Sequence, residues 1–127
     1  MNSVADAAPY YVSLGDVDRD RDAVIAIWRD NLGNDAHMRA KFAWFYESCP
    51  LGKPLLLILK QAGTDLSVGV AAAGPRRMRV RGTELSAGVL VDLAVMADHR
   101  SLGPALLLQR ELAMLGAQRF DLLYGFP

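Results

Sequence analysis

The chain has a single cysteine, Cys49, and no long apolar run. One cysteine excludes an internal disulfide and is typical of proteins from a reducing compartment. No segment approaches the ~20 apolar residues of a membrane-spanning helix. The first residues, 1–6, lack the positively charged and apolar regions of a secretory signal. These absences predict a cytoplasmic protein that does not associate with membranes.

An excess of charge is also lacking, because 14 Lys and Arg residues balance 14 Asp and Glu residues. Nucleic-acid-binding proteins usually carry a basic excess, so no nucleic-acid partner is expected. His37 and His99 have no neighbours at the spacing of metal ligands, and no metal site is predicted. What the chain does have is a 52% share of hydrophobic residues, enough for the core of one domain of 127 residues.

Hydrophobic periodicity and turn residues predict an α/β domain with the element order β-α-α-β-β-β-α-β. The first helix is expected to start at Val17, capped by Asp16 or Asp18, and to stop near Asn31 and Gly33. The other predicted elements are a helix capped by Asp35 and ended by Pro50 and Gly52, strands at 10–14, 55–59, 66–74, 85–96 and 120–126, a helix at 103–116, and turns at 62–65 and 82–83.

The second helix is predicted to bury one apolar face against the rest of the domain. Cys49 falls on that face and is expected to be a small core residue rather than a nucleophile. The residues of the face are Met38, Phe42, Phe45 and Cys49, and Trp28 and Trp44 are predicted to pack between the helices and the sheet.

One segment suggests chemistry. The apolar strand that contains Asp92-Leu-Ala-Val95 is followed by Arg100-Ser-Leu-Gly103-Pro-Ala105, where a helical pattern begins. The first main-chain N–H groups of a helix have no partner within it, and the helix dipole adds positive potential there. A strand, a short turn and a helix therefore form a ready anion site, to which Arg100 adds a cation and Gly103 a close backbone approach.

This motif in this element order resembles the GCN5-related N-acetyltransferase (GNAT) family. The resemblance implies an α/β fold with a mixed, mainly antiparallel sheet and acetyl-CoA as co-substrate. By resemblance, the strand at Leu93, Ala94 and Val95 would pair with the pantetheine arm of acetyl-CoA. The pyrophosphate would be held by Arg100, Ser101, Leu102, Gly103 and Ala105.

The sequence departs from the family pattern in three places. Pro104 lacks an N–H and removes one phosphate donor, although proline suits the first turn of a helix. Val91 stands where many relatives have a glutamate that serves as general base. After the strand at 120–126 the family adds another helix and two strands, so we expect this chain to be the first two thirds of such a domain.

Asp92 and Tyr124 are the candidates for catalysis. A carboxylate inside an apolar strand must be paired, hydrogen-bonded or facing a cleft, because burying it alone is costly. Asp92 could act as a base toward the amine or, the alternative we favour, fix the backbone. Tyr124, near Asp121 on the last strand, could give a proton to the leaving thiolate, or it could be a core or rim residue.

These observations predict an N-acyltransferase that uses acetyl-CoA and a small-molecule or peptide amine as acceptor. A non-catalytic module that binds CoA or a protein, and an ordinary interaction domain, are the alternatives. The arginines of the third strand predict a solvated hairpin face, or else a contact with a CoA phosphate, an acidic substrate or RNA. We also expect that the apolar edge strand at 120–126 pairs with a second copy of the chain, or that the native protein continues past Pro127. The arginines are Arg76, Arg77, Arg79 and Arg81.

Overall fold

A computed structural model describes residues 9–32 and 35–125. The strands are β1 (Tyr10–Leu14), β2 (Leu55–Gln61), β3 (Ser67–Val80), β4 (Thr83–Val95) and β5 (Leu122–Tyr124). The helices are α1 (Arg21–Leu32), α2 (Asp35–Phe42), which continues as a π-helical turn (Ala43–Glu47), and α3 (Leu102–Arg119), which follows a 3-10 turn (Ala97–His99).

The sheet has the strand order β1-β2-β3-β4-β5, so neighbours in the sheet are also neighbours among the strands of the chain. The first four strands pair antiparallel. β5 pairs parallel with β4, because α3 crosses over one face of the sheet and returns the chain in the same direction. The predicted order of strands and helices is confirmed.

Each face of the sheet is covered by its own core. One face packs against α1, α2 and the π turn, and its buried residues are Val17, Val24, Ile25, Ile27, Trp28, Met38, Phe42, Tyr46, Leu56, Ile58, Val70 and Ala72. The other face packs against α3, and its buried residues are Leu55, Leu57, Leu59, Val68, Ala71, Ala73, Val95, Leu108, Leu112 and Phe120. β2 alternates between the two sets and is therefore buried on both faces, as its continuous apolar sequence predicted.

The first helix starts later than predicted. α1 begins at Arg21, and Val17 lies in the preceding turn, where its side chain is nevertheless buried. Asp16 caps that turn rather than the helix, since its carboxylate accepts hydrogen bonds from the N–H groups of Asp18 and Arg19 at 2.9 and 2.8 Å. A local bond from a short acidic side chain competes with the helix at this point. The predicted stop at Gly33 lies outside the described residues.

The buried face of the second helix also differs from the prediction. The π turn has a wider turn than an α-helix, so Met38 and Phe42 are followed on the buried side by Tyr46, and Phe45 is only partly buried. The prediction for Cys49 is wrong, because the helical segment ends at Glu47 and Cys49 is half-buried in the loop beyond it.

Trp44 does not pack between the helices and the sheet. Its side chain is 72% exposed on the outer side of the π turn, so that prediction is wrong as well. The widened turn rotates this side chain away from the core while it brings Tyr46 in. Trp28 is buried as predicted, against Phe42 and Tyr46.

The last strand is shorter than predicted. β5 comprises Leu122–Tyr124 alone, and Phe120 is a core residue between α3 and the sheet rather than part of an exposed edge. Phe126 lies outside the described residues. The turn between β3 and β4 consists of Arg81 and Gly82, both at positive φ, which is the two-residue turn favoured by twisted hairpins. In the described part of the chain, no helix is long and apolar enough to cross a membrane.

Candidate functional site

β4 and β5 form a fork. They pair at only three positions, Ala87 with Leu122, Gly88 with Leu123 and Val89 with Tyr124. β5 then ends, whereas β4 continues to Val95. The main chain of β4 beyond Val89 consequently has no strand on its outer side. Its outward-facing N–H and C=O groups there are available to a ligand, except for the carbonyl of Val95, which accepts a hydrogen bond from Arg100.

A bulge shapes this free part of β4. Asp92 and Leu93 together oppose the single residue Ala71 of β3, where the register shifts. Asp92 has a φ of 61°, a left-handed conformation that aspartate tolerates better than most residues. The bulge bends the strand and turns the side chain of Asp92 toward the helices on the α1–α2 face.

The fork opens into a cavity of about 420 Å³. Gln109 and Leu112 of α3 form its floor, and Leu93 belongs to its wall. Its full lining is Ala71, Leu90, Val91, Asp92, Leu93, Gln109, Leu112 and Gly125. The cavity therefore borders the whole unpaired side of β4 next to the fork.

A second cavity of about 390 Å³ lies at the N-terminus of α3 and shares Leu93 with the first. Its lining consists of Asn31 and most of the residues predicted for cofactor binding, namely Leu93, Ala94, Val95, Arg100, Ser101 and Ala105. We call the two cavities together the groove. It leads from the fork to the start of α3, where Ser101 precedes the helix without a side-chain capping bond and the first N–H groups have no helical partner.

Arg100 connects the turn that precedes α3 (the α3 turn) to β4 and α1 by two hydrogen bonds. Its Nε donates to the carbonyl of Val95 at 3.0 Å, and its Nη2 donates to Oδ1 of Asn31 at 2.5 Å. The guanidinium is thus oriented before any ligand arrives, and its exposed side borders the groove. Asn31 was not singled out from the sequence, since its contact with Arg100 joins residues 69 positions apart.

Gly103 borders a neighbouring cavity of about 300 Å³ together with Pro9, Tyr10, Ser101, Pro104 and Leu107. An ideal Cβ built on Gly103 meets no heavy atom within 4 Å. The glycine therefore leaves open space at the start of the helix rather than relieving a clash within the protein. Leu102, also predicted for the site, is the first residue of α3 and offers its main chain there.

Asp92 is paired on both carboxylate oxygens. The ammonium of Lys41 forms an ion pair with Oδ1, and the phenol of Tyr46 donates to Oδ2 at 2.7 Å. Burial, followed by the charge of Asp92 and this hydrogen bond, raises the pKa of Tyr46 well above its usual value. Lys41 also lies over the ring of Trp28, 4.9 Å from the centroid. The sequence predicted that the carboxylate of Asp92 must be paired, hydrogen-bonded or facing a cleft. Lys41 pairs with it and Tyr46 donates a hydrogen bond to it.

Tyr124 faces the same side of the sheet as Asp92. Leu123 packs against Gly116 of α3, so its neighbour Tyr124 points to the opposite face, toward α1 and α2. Tyr124 lies beside Val89, which places it about 10 Å from Asp92 along the strand direction. Asp121 is not at the fork's opening; it accepts bonds from the N–H and hydroxyl of Ser86 at 2.9 and 3.1 Å and anchors the start of β5.

Comparisons of this geometry with solved structures give many matches. A GNAT family acetyltransferase from Staphylococcus aureus superposes with a TM-score of 0.67 at 10% identity, over 94% of this chain and 87% of that one. An aminoglycoside acetyltransferase from an uncultured soil metagenomic sample gives 0.69 at 19% identity, over 94% and 80%. An aminoglycoside N-acetyltransferase in complex with CoA gives 0.67 at 14% identity, over 93% and 76%.

The chain has the GNAT fold. No protein-family model matches the sequence, and no curated protein matches it either. The likeness is therefore one of architecture, and it confirms the fold that the motif and the element order predicted.

Within this GNAT fold, two contacts matter that the sequence did not reveal. Lys41 and Tyr46 are separated from Asp92 by 51 and 46 residues, and only the packing of α2 on β4 joins them. The i, i+4 spacing of Phe42 and Tyr46 was the available signal, and it favoured Tyr46 over Phe45 as the buried aromatic. His99 accepts or donates a hydrogen bond with Tyr10 at 2.9 Å, and the described residues contain no group of three potential metal ligands.

Proposed function

We propose that this chain binds an acyl-CoA, with acetyl-CoA the simplest case, and transfers its acyl group to an amine. The supporting observation is the groove, which joins an unpaired strand edge to an open helix N-terminus. Pantetheine has amides that can pair with a strand edge, and pyrophosphate needs convergent N–H donors. The cavity at the fork offers the strand edge, and the cavity at the start of α3 offers the N–H donors. This is the order in which the pantetheine arm and the pyrophosphate follow each other in CoA.

In this proposal the main chain of β4 from Leu93 to Val95 pairs with the pantetheine arm, and the α3 turn holds the pyrophosphate. Arg100 supplies a cation that Asn31 and Val95 hold in place. Pro104 contributes no N–H, so the donors are those of Leu102 and Gly103 and the preceding turn. The cofactor's reactive end lies at the fork, near the face that Tyr124 and Asp92 share.

The transfer step is the attack of a neutral amine on the thioester carbonyl, with no covalent enzyme intermediate. Main-chain N–H groups of β4 at the bulge polarise the carbonyl as negative charge develops on its oxygen. Tyr124 gives its proton to the departing thiolate, water takes the proton that the attacking nitrogen loses, and Tyr124 regains a proton from solvent. Both oxygens of Asp92 already accept hydrogen bonds, so we assign Asp92 the role of holding the bulge rather than of taking the proton from the amine.

Binding is tested by blocking the groove. Ala105 lines the groove on the first turn of α3, whereas the adjacent Leu106 is 48% exposed. Ala105→Phe fills the groove, and Leu106→Phe adds the same side chain to the solvent side of the same helix. We expect calorimetric titration to show acetyl-CoA binding to the unmodified chain and to Leu106→Phe, with loss of binding in Ala105→Phe.

Thermal unfolding provides a second readout of the same proposal. Acetyl-CoA at about a hundred times its Kd stabilises a protein by about 2.7 kcal/mol. Absence of any shift at millimolar acetyl-CoA would refute cofactor binding. Equal binding by Ala105→Phe and the unmodified chain would place the cofactor elsewhere.

Acyl transfer is tested separately by the release of free CoA thiol in the presence of amines. We expect release above the rate of hydrolysis with at least one small-molecule or peptide amine, and a lower kcat for Tyr124→Phe with unchanged acetyl-CoA binding. A second candidate function, a module that binds CoA without transfer, is favoured by Val91 and by the occupied oxygens of Asp92. Binding without release for any amine would select it. Use of acyl-CoA also agrees with the predicted cytoplasmic location.

A further inference from the structure

A further cavity of about 330 Å³, which shares no lining residue with the groove, is bordered by three arginines. Arg76 and Arg77 come from β3, and Arg119 is the last residue of α3. Its other lining residues are Pro50, Leu51, Pro75, Ser86 and Phe120. We call it the arginine cavity. Two prolines, a leucine and a phenylalanine lie beside the arginines, and together they line a shallow, open depression with a mainly polar surface.

Two of these guanidinium groups are held in fixed positions. Arg76 lies over the ring of Phe45 at 5.4 Å, and its Nη1 donates to the carbonyl of Pro75 at 2.8 Å. Arg119 lies over the ring of Phe120 at 5.3 Å and donates to the carbonyl of Lys53. Aromatic stacking and a carbonyl bond orient a guanidinium without neutralising it.

The arginine cavity has a surplus of positive charge. Within the described residues, none of its three arginines forms an ion pair with a carboxylate. Asp121 is the nearby acidic residue, and its carboxylate is bonded to the N–H and hydroxyl of Ser86. Discouraging edge pairing explains an arginine on an exposed strand, and a helix C-terminus explains Arg119. Neither explains why all three arginines border one cavity.

The arginine cavity is separate from the proposed cofactor site. Arg119 ends α3, and the proposed pyrophosphate site at the start of this helix of 18 residues is about 27 Å away. The part of the groove nearest to Arg119 along the helix is at Leu112, about 10 Å away. A CoA pyrophosphate bound at the helix N-terminus does not reach this end. The arginines therefore need another partner.

We propose that the arginine cavity binds a small molecule through a phosphate group. Planar guanidinium forks match the oxygens of a phosphate in bidentate geometry. The volume is at the lower end of the range for small-molecule pockets, which fits a phosphorylated metabolite better than a long polymer. Arg77, on the exposed side of the arginine cavity, is free to close onto the ligand, while Arg76 and Arg119 are already positioned.

The test uses a matched pair of variants. Arg77→Ala and Arg79→Ala remove the same charge from alternate residues of β3, but only Arg77 lines the cavity. Inorganic phosphate is titrated into the isotopically labelled chain at constant ionic strength, and amide resonances are followed by NMR. We expect saturable shifts at Ser86, Arg119 and Phe120, an affinity about tenfold weaker in Arg77→Ala, and little change in Arg79→Ala.

Two results would overturn the proposal. The first is the absence of saturable shifts at those amides at tens of millimolar phosphate. The second is equal weakening by Arg77→Ala and Arg79→Ala, which would indicate a diffuse electrostatic effect. A parallel titration with a short single-stranded RNA addresses the polymer alternative. Tighter binding of RNA that depends equally on both arginines would replace the small-molecule proposal with a nucleic-acid one.

Discussion

Substitutions at Asp92 measure how much each of its interactions stabilises the bulge of β4. Asp92→Asn keeps the shape of the side chain and the tolerance for positive φ, and it removes the charge that faces Lys41. Asp92→Ala also removes the acceptor for Tyr46 and places a residue with a plain Cβ in a left-handed conformation. The loss in Asp92→Asn therefore reports the ion pair, and the additional loss in Asp92→Ala reports the hydrogen bond of Tyr46 and the backbone effect together.

The expected magnitudes follow from burial. The side chain of Asp92 is 10% exposed and that of Lys41 is 34% exposed, so the pair lies between a surface and a buried ion pair. Surface pairs contribute up to about 1 kcal/mol, and removing one partner of a buried pair costs about 3–5 kcal/mol. We expect Asp92→Asn to lower the free energy of unfolding by about 2 kcal/mol, between these limits. Asp92→Ala should cost at least about 1–2 kcal/mol more, because the left-handed backbone costs that much and the lost acceptor for Tyr46 adds to it.

Chemical denaturation gives these free energies, and a double-mutant cycle with Lys41→Met isolates the pairwise part. Asp22→Asn is the control, because the side chain of Asp22 is 80% exposed and its ion pair with Arg39 spans 3.6 Å. The control should change stability by less than about 0.5 kcal/mol. A coupling energy near zero in the cycle, or equal stabilities of Asp92→Asn and Asp92→Ala, would refute the reasoning.

Three further predictions concern other parts of the domain. Because burial first, and then its charged hydrogen-bond partner, raise the pKa of Tyr46, the folded state holds the phenolic proton more tightly than the unfolded state. The stability that this group contributes is complete below about pH 10, the pKa of tyrosine in the unfolded chain, and is lost as the pH rises above that value. Tyr46→Phe should therefore reduce the decline in the free energy of unfolding at alkaline pH, as measured by urea titrations. An unchanged decline would contradict this prediction. Gly103→Ala should raise the free energy of unfolding by up to about 1 kcal/mol, whereas Gly116→Ala should lower it by about 1–3 kcal/mol. The reason is that a Cβ on Gly103 meets nothing within 4 Å and one on Gly116 lies 2.9 Å from Leu123; thermal unfolding that ranks them in reverse would disprove the packing argument. If β5 pairs with a second copy, Leu122→Lys should turn a dimer into a monomer in sedimentation equilibrium, and a monomeric parent chain would exclude the pairing.

The fold was predictable because its strands carry strong local signals. The apolar run of β2 and the turn residues between β2, β3 and β4 mark a meander that needs no long-range information. Most residues that line the cavity at the start of α3 were predictable from local signals too, since they lie within residues 93–105, where a strand, a turn and a helix follow each other directly. The start of α1 was misplaced because Asp16 bonds the following N–H groups and holds a turn in place of a first helical turn.

What escaped prediction depends on contacts between distant segments. The pairing of Lys41 and Tyr46 with Asp92 is decided by how α2 packs over β4, and the π turn that presents Tyr46 has no reliable sequence signature. The arginine cavity is a similar case. Arg76 and Arg77 were visible as part of a basic strand, but nothing in the sequence placed Arg119, at the far end of α3, beside them.

The sequential strand order has a consequence for the folding kinetics. β2, β3 and β4 are joined by short turns, so their hairpins close small loops and can form early. β5 joins the sheet only after α3 has crossed the other face, and it contributes just three paired positions. We therefore expect the fork to be among the last features to form and the first to open. A ligand that spans β4 and α3 would act chiefly on the unfolding rate, because it would hold together two segments that are not yet joined in the transition state.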